Sequence, residues 1–282
     1  MKTISSVAEL RQACQQWRHA GERIGLVMTM GNLHQGHIAL VHEAAKTTEH
    51  VITTIFVNPM QFDRVEDLEA YPRTLEQDSK MCEDAGVKIL FTPSVEEIYP
   101  APIDRVSQIH VPGFVDRLEG SSRPGHFVGV ATVVNKVFNM VMPDVTVFGQ
   151  KDIQQLLMIQ KMVRDLNMPI EVIGLPTVRE KDGLAMSSRN NYLNQQERAT
   201  APKFNQVLTK MVQRVTEGET DYRSLENEAL QELLGYGFGK DYVEICRIED
   251  FQPAQAGDEN LIVVAAAWMG SARLIDNIQI PG

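Results

Sequence analysis

Two histidines, His34 and His37, stand three residues apart in the stretch Thr29-Met30-Gly31-Asn32-Leu33-His34-Gln35-Gly36-His37. The stretch lies between an apolar run, Ile24 to Met28, and a helix-like segment, Ile38 to Lys46. A strand, a glycine-bearing turn and a helix start in that order make a place for phosphate. The helix N-terminus carries unpaired N–H groups and a partial positive charge. Gly31 and Gly36 let the backbone approach a ligand with no Cβ in the way. Across a first helical turn the two imidazoles point the same way. There they can donate hydrogen bonds to a phosphoryl group gathering negative charge. Without that context, the same spacing also suits surface histidines or residues beside a metal.

Three further segments bring polar groups to strand ends or the turns after them. Asn58-Pro59-Met60-Gln61-Phe62 follows a β-branched run, and the Gln61 amide offers donors and an acceptor suited to a hydroxy acid. In Gly149-Gln150-Lys151-Asp152-Ile153-Gln154-Gln155, a glycine and a lysine at a helix start resemble a phosphate grip without the full P-loop pattern. Gln155 lies about one turn beyond Lys151, on the same face. Met186-Ser187-Ser188-Arg189-Asn190 puts two hydroxyls and a guanidinium on a loop that could close on phosphates. Taken singly, each segment also reads as an ordinary loop or helix-preceding turn. Together they ask for one ATP and one carboxylate.

These groups need a scaffold. Val7, Leu10, Cys14 and Trp17 fall at helical spacing, closed by Gly21. Ile24 to Met28 reads as the first buried strand, Val51 to Val57 as the second and Val87 to Phe91 as the third. Between the last two run a loop, Met60 to Arg73, and a helix, Thr74 to Ala85. This β-α-β-α-β order predicts a parallel sheet with ligands at the carboxyl ends of its strands. An edge strand is expected around Ser107 to Val111, and a buried helix over His126 to Met142. Its Gly129, Ala131 and Thr132 are small enough for a close helix–helix or subunit contact. Val145 to Phe148 and Ile170 to Leu175 read as strands, joined by a helix that Asp152 caps and that runs to about Asn167. The polar connector Val178 to Gly183 marks a domain boundary. Beyond it come helices over Asn194 to Glu217 and Asp221 to Tyr236, then strands at Tyr242 to Ile248, Leu261 to Met269 and Ala272 to Ile280. Gly270-Ser271 makes the last two a hairpin. The expected fold is α/β: a Rossmann-like parallel sheet with helices on both faces (residues 1–177), plus a smaller C-terminal α+β lid domain (residues 178–282).

Composition narrows the classes. The 282 residues, 43% hydrophobic and 23% charged, are ample for a sizeable core. A net charge of −10 argues against a nucleic-acid partner, although a local pocket can still be positive. Cys14, Cys82 and Cys246 are far apart and in no metal-ligand spacing, as in a reduced cytoplasmic protein. No basic head followed by an apolar run opens the chain, and its most apolar stretch, Leu261 to Met269, is too short to span a bilayer. No secretory signal and no membrane association are expected.

The His-x-Gly-His order resembles the signature of the nucleotidylyltransferase superfamily. Longer motifs sharpen this: Phe56-Val57-Asn58-Pro59-Met60-Gln61-Phe62, Tyr71-Pro72-Arg73-Thr74, Arg123-Pro124-Gly125-His126-Phe127, Val130-Ala131-Thr132-Val133-Val134, Pro143-Asp144, Phe148-Gly149-x-Lys151-Asp152-x-Gln154-Gln155 and Gly183-Leu184-Ala185-Met186-Ser187-Ser188-Arg189-Asn190. With the histidine turn, and in this order, they resemble the pantothenate synthetase (pantoate–β-alanine ligase) family along essentially the whole chain. Met28 departs from a proline common before Thr-Met-Gly, and Gln35 fills a slot often acidic or alanine. Neither change removes a group with a chemical task.

The resemblance implies ATP-dependent condensation of (R)-pantoate with β-alanine through a pantoyl adenylate, releasing pyrophosphate and AMP. His34 and His37, with Lys151, would be catalytic, and His37 the proton donor. Met30, Gly31, Asn32, Leu33, His34, Gln35, Gly36 and His37 would line the ATP site. Gly149, Gln150, Lys151 and Asp152 would contact ribose and phosphate. Val178 would meet adenine through its backbone, and Met186, Ser187, Ser188 and Arg189 would cover the triphosphate. Gln61 and Gln155 would hold pantoate, and Gln61 would also meet β-alanine. Mg²⁺ is expected to arrive with ATP, with no protein ligand set visible. A homodimer is implied. The competing readings are an adenylyltransferase for a nucleotide or phosphopantetheine, which needs a basic pocket for a second phosphate, and a non-catalytic nucleotide sensor. Two neutral amides disfavour the first; the retention of His34, His37, Lys151 and Arg189 disfavours the second.

Overall fold

A computed structural model describes residues 1–62, 65–114 and 116–281. Two compact units divide the chain, Met1–Pro176 and Thr177–Gly282.

The first unit is built on six strands. Lys2–Ile4 forms β1, and Ser6 caps α1, Val7–His19, by accepting from the Glu9 amide at 3.3 Å. The strand β2, Ile24–Thr29, leads to α2, Gln35–Ala44, and then to β3, His50–Ile55. Of the loop expected over Met60 to Arg73, residues 63 and 64 lie outside the described residues. Pro59–Gln61 is a 3-10 turn and Val65–Glu69 forms α3. Next come α4, Leu75–Asp84, β4, Ile89–Phe91, and two short helices, α5, Val95–Ile98, and α6, Glu119–Ser122. The buried helix α7, His126–Val141, precedes β5, Val145–Gly149, α8, Ile153–Asp165, and β6, Glu171–Leu175. Asp152 holds the N-cap position of α8, after a 3-10 turn at Gln150–Asp152.

All six strands are parallel, in the order β1-β4-β3-β2-β5-β6. Strands β2 to β4 are buried almost throughout, as a parallel sheet wrapped in helices requires. From β2 the chain adds strands outward through β3 and β4, then returns to lay β5 on the other side. The order therefore reverses between β2 and β5, where Gly25 pairs with Val145 and Leu26 with Thr146. In open α/β sheets that reversal opens the ligand crevice at the strands' carboxyl ends.

The second unit holds α9, Gln195–Thr200, α10, Lys203–Thr216, and α11, Tyr222–Gly235, with an antiparallel sheet β7-β8-β9 (Gly239–Arg247, Leu261–Met269, Ala272–Gln279). Phe204, Leu208, Leu225, Ile245, Val263 and Ala265 are among the side chains of its core. Gly270, at φ +57°, begins the two-residue turn that puts Met269 opposite Ala272.

The α/β architecture with a small C-terminal α+β unit is as the sequence predicts, with three local corrections. Lys2–Ile4, unread because three residues carry no periodicity, is an edge strand on β4. Ser107 to Val111 is not a strand; there the Ile109 N–H donates to Thr132 Oγ1 of α7 at 3.0 Å. The helix expected over Asn194 to Glu217 is two, α9 and α10, parting at Ala201-Pro202, where proline brings no N–H for the ladder. Among the described residues no helix is long and apolar enough to cross a membrane.

Candidate active site

The histidine turn is shaped by its neighbours. At the end of β2, Thr29 Oγ1 donates to the Thr54 carbonyl at 2.7 Å and accepts from the Gly31 amide at 3.2 Å. The chain then passes through two left-handed residues, Gly31 at φ +86° and Asn32 at φ +51°. The second is uncommon for a residue with a Cβ. It is held by the buried Asp78 carboxylate of α4, which accepts from the Asn32 and Leu33 amides at 2.9 and 2.8 Å and from the Thr74 hydroxyl at 3.0 Å. A Cβ on Gly31 would stand 3.1 Å from that carboxylate. Asp78 thus reads as a support of the turn, and the sequence reading missed it.

The histidines themselves cap α2. His34 is the N-cap, and its Nδ1 accepts from the Gly36 amide at 3.1 Å. The Nδ1 of His37 accepts in turn from the His34 amide at 3.2 Å. This is a capping box built from two imidazoles. An Nδ1 that accepts bears no proton, so each neutral ring carries its hydrogen on Nε2. Burial pushes His34 down to about 4, helped by the nearby Lys151 charge and opposed by Asp152. Burial, then the neighbouring His34, pushes His37 down to about 3. The rings lie 4.0 Å apart between centroids. At neutral pH the site therefore presents two Nε2–H donors and no imidazolium. Lys151, largely buried on the turn after β5, has its Nζ 3.7 Å from the Asp152 carboxylate. It supplies the cation the rings do not.

The second strand end holds Gln61 in a fixed pose. Asn58 caps the 3-10 turn by accepting from the Met60 amide at 3.3 Å, and the Tyr99 hydroxyl donates to the same oxygen at 2.8 Å. The Asn58 amide donates to Gln61 Oε1 at 3.1 Å and to the Gly129 carbonyl at 3.2 Å. Gln61 Nε2 is 3.1 Å from the Met30 sulfur, tying the segment to the histidine turn. The Gln61 carbonyl accepts from His126 Nδ1 at 3.0 Å and from Arg123 at 3.3 Å. Because a carbonyl can only accept, His126 is the Nδ1–H tautomer, and its Nε2 faces an Arg123 N–H at 3.3 Å. Burial, then the Arg123 charge, pushes His126 down to about 4. Gly129 of α7 makes room for this seat: a Cβ there would run into the Met60 carbonyl and stand 2.8 Å from the Gln61 nitrogen.

Gln155 lies half-buried on the first turn of α8, and the more buried of the pair is Gln154. Gln154 donates to the carbonyls of Phe114 at 2.8 Å and Arg117 at 2.9 Å, and so ties down the segment before α6. Gln150 donates to the Gly174 carbonyl at 3.3 Å, joining the turn after β5 to β6. Val178, Met186, Ser187, Ser188 and Arg189 belong to the second unit. There the Met186 amide donates to the Val178 carbonyl at 3.0 Å, and Ser187 Oγ accepts from the Arg189 amide at 3.2 Å. Among the described residues no three or more His, Cys, Asp and Glu side chains gather as a cage for a metal ion.

A parallel sheet whose order reverses between β2 and β5, with paired imidazoles after the first and a lysine after the second, defines an α/β protein whose candidate ligand crevice lies at that reversal. The chain belongs to the pantoate–β-alanine ligase family, whose model matches residues 2–279. It is 52% identical over 280 residues to the pantothenate synthetase of Alkalilimnicola ehrlichii, covering 99% of this chain and 98% of that one. The Pseudomonas aeruginosa enzyme of that name is 50% identical over 99% of both. Among solved structures, the pantothenate synthetase of Thermus thermophilus superposes with a TM-score of 0.92 at 42% identity over the whole of both chains. The pantoate–β-alanine ligase of Francisella tularensis, solved with β,γ-ATP and β-alanine, gives 0.83 at 32% identity, covering 99% of this chain and 97% of that one.

Proposed function

We propose that this chain condenses (R)-pantoate with β-alanine at the expense of ATP. A carboxylate is a poor acyl donor because oxide would have to leave. Attack of the pantoate carboxylate on the α-phosphorus expels pyrophosphate and gives an acyl adenylate. The amine of β-alanine then attacks the acyl carbon, and AMP departs.

One observation carries the reading: the capping box spends both Nδ1 atoms on backbone amides and leaves two Nε2–H donors beside Lys151. Such donors stabilise charge gathering on a phosphoryl group with little reorganisation. In this reading His34 and His37 hydrogen-bond the phosphates through Nε2–H; His37, being neutral, donates that hydrogen bond and keeps its proton, and Lys151 neutralises the triphosphate. Met30 to His37 and Gly149 to Asp152 line the nucleotide, with Val178 and Met186 to Arg189 as the second unit's contribution. Gln61 and Gln155 hold pantoate, and Gln61 also meets β-alanine. Mg²⁺ enters as part of the substrate, on the phosphates and water. The chain works as a cytoplasmic homodimer, with residues 178–282 as its lid.

A coupled AMP-release assay with each substrate omitted in turn tests the reaction; turnover should need all three. ATP–pyrophosphate exchange should be driven by pantoate alone. Exchange driven equally by a nucleotide or by phosphopantetheine would overturn the substrate assignment.

A further inference from the structure

The segment carrying Val178 and Met186 to Arg189 is anchored by a residue near the far end of the chain. Arg179 and Ala185 face each other in an antiparallel bridge, and the Glu180 amide donates to the Leu184 carbonyl at 2.8 Å. These contacts make residues 178–186 a small hairpin, with Leu184 and Ala185 buried. Arg179 leaves it to grip Asp276 of β9 with both ends of its fork, at 2.6 and 2.9 Å across 97 residues. The same guanidinium donates back to the Gly183 carbonyl at 3.2 Å, so one side chain ties the hairpin's tip to the sheet. Asp276 has a side chain only 1% exposed, and it also accepts from Asn205 of α10 at 3.1 Å and from the Asn277 amide at 2.8 Å. Four donors thus converge on one buried carboxylate. A second pair, Arg198 with Asp182 at 2.6 Å, holds the same hairpin from the solvent side. An exposed pair like this contributes little, whereas breaking a buried one strands a charge.

We propose that Asp276 is a positioning residue for nucleotide binding: through Arg179 it locks the 178–186 hairpin to the C-terminal sheet, so that Val178 and Met186 to Arg189 are presented as one rigid element. The proposal rests on the reading that those residues contact ATP. Asp276→Asn keeps the shape but loses the charge and turns N–H donors toward Arg179. It should raise the KM for ATP by about tenfold or more, because a displacement far from the chemistry is felt at the site. The pantoate dissociation constant, measured by calorimetry, should stay within about twofold, since pantoate's contacts lie in the first unit. Amide hydrogen exchange over residues 178–189 should quicken while residues 30–37 keep their protection. Arg198→Ala should change the ATP KM by less than about twofold. Should Asp276→Asn not fold, Arg179→Lys, which keeps the charge but loses the fork, should show the same pattern more weakly. Unchanged exchange over 178–189 would overturn the anchor. An unchanged ATP KM in Asp276→Asn, while Arg189→Ala raises it, would overturn the positioning role alone. An unchanged KM in both variants would overturn it together with the nucleotide-contact reading.

Discussion

Two places in the first unit bury a histidine in its neutral form, and they use it in opposite senses. At the start of α2, backbone amides donate to the Nδ1 atoms of His34 and His37, so the hydrogens sit on Nε2. At the start of α7, His126 donates from Nδ1 to the Gln61 carbonyl and keeps its Nε2 for Arg123. All three rings have lost basicity mainly through burial. What differs is the group each Nδ1 meets. An amide N–H leaves the imidazole's Nε2–H as the remaining donor; a carbonyl turns the ring inward as a brace. Residue type alone does not say which a histidine will be.

The largest test of this division is His37→Ala. Its rate of pantoyl adenylate formation should fall by about 10²–10⁴-fold, the usual size for such a group. A wild-type rate in rapid-quench measurements would remove His37 from the chemistry. His126→Asn, which can still donate from the Nδ1 position, should leave that rate within about threefold. A loss as large as that of His37→Ala would erase the distinction.

Gly129→Ala attacks the brace from behind. The added Cβ must push Met60 and Gln61 away, costing about 1–3 kcal/mol of stability and weakening pantoate binding. Urea unfolding and calorimetry read the two effects; wild-type values in both would mean that α7 does not set the Gln61 pose. Gln155→Ala should act mainly on pantoate, raising its KM by about tenfold for one lost hydrogen bond with little change in kcat. Unchanged pantoate binding would take Gln155 out of the site.

The smallest effect is on stability against pH. An unfolded histidine takes up its proton near 6.5, whereas His34 and His126 resist until about 4 and His37 until about 3. Between those values the unfolded chain binds more protons, so falling pH favours unfolding. The native protein should keep this contribution in full above about pH 6.5 and lose it as pH falls toward 4. His126→Asn should flatten the slope of Tm against pH in that window. An unaltered slope would mean that His126 is not held neutral.

Much of this was legible along the chain because it is local. The alternation of β-branched runs with helical spacing, the glycines that stop α1 and α4, and the Gly270-Ser271 hairpin each depend on residues within a turn or two. So did the histidine turn and the lysine after β5, recognisable as motifs before their neighbours were known. Lys2–Ile4 was too short to announce itself, and Pro202 split a helix whose apolar spacing ran through it.

The sequence by itself therefore determined which chemistry the chain carries, since imidazoles, amides and a lysine at glycine-bearing turns are matters of composition and order. The tertiary structure decided which of them meet. Only the sheet order sets β5 beside β2 and so brings Lys151 within electrostatic reach of His34. Only packing places Asp78 under Asn32 and Asp276 against Arg179. The physical reason is range: backbone preferences act over a few residues, whereas the partner of a buried charge or imidazole is set by whatever the folded core brings to it across the chain.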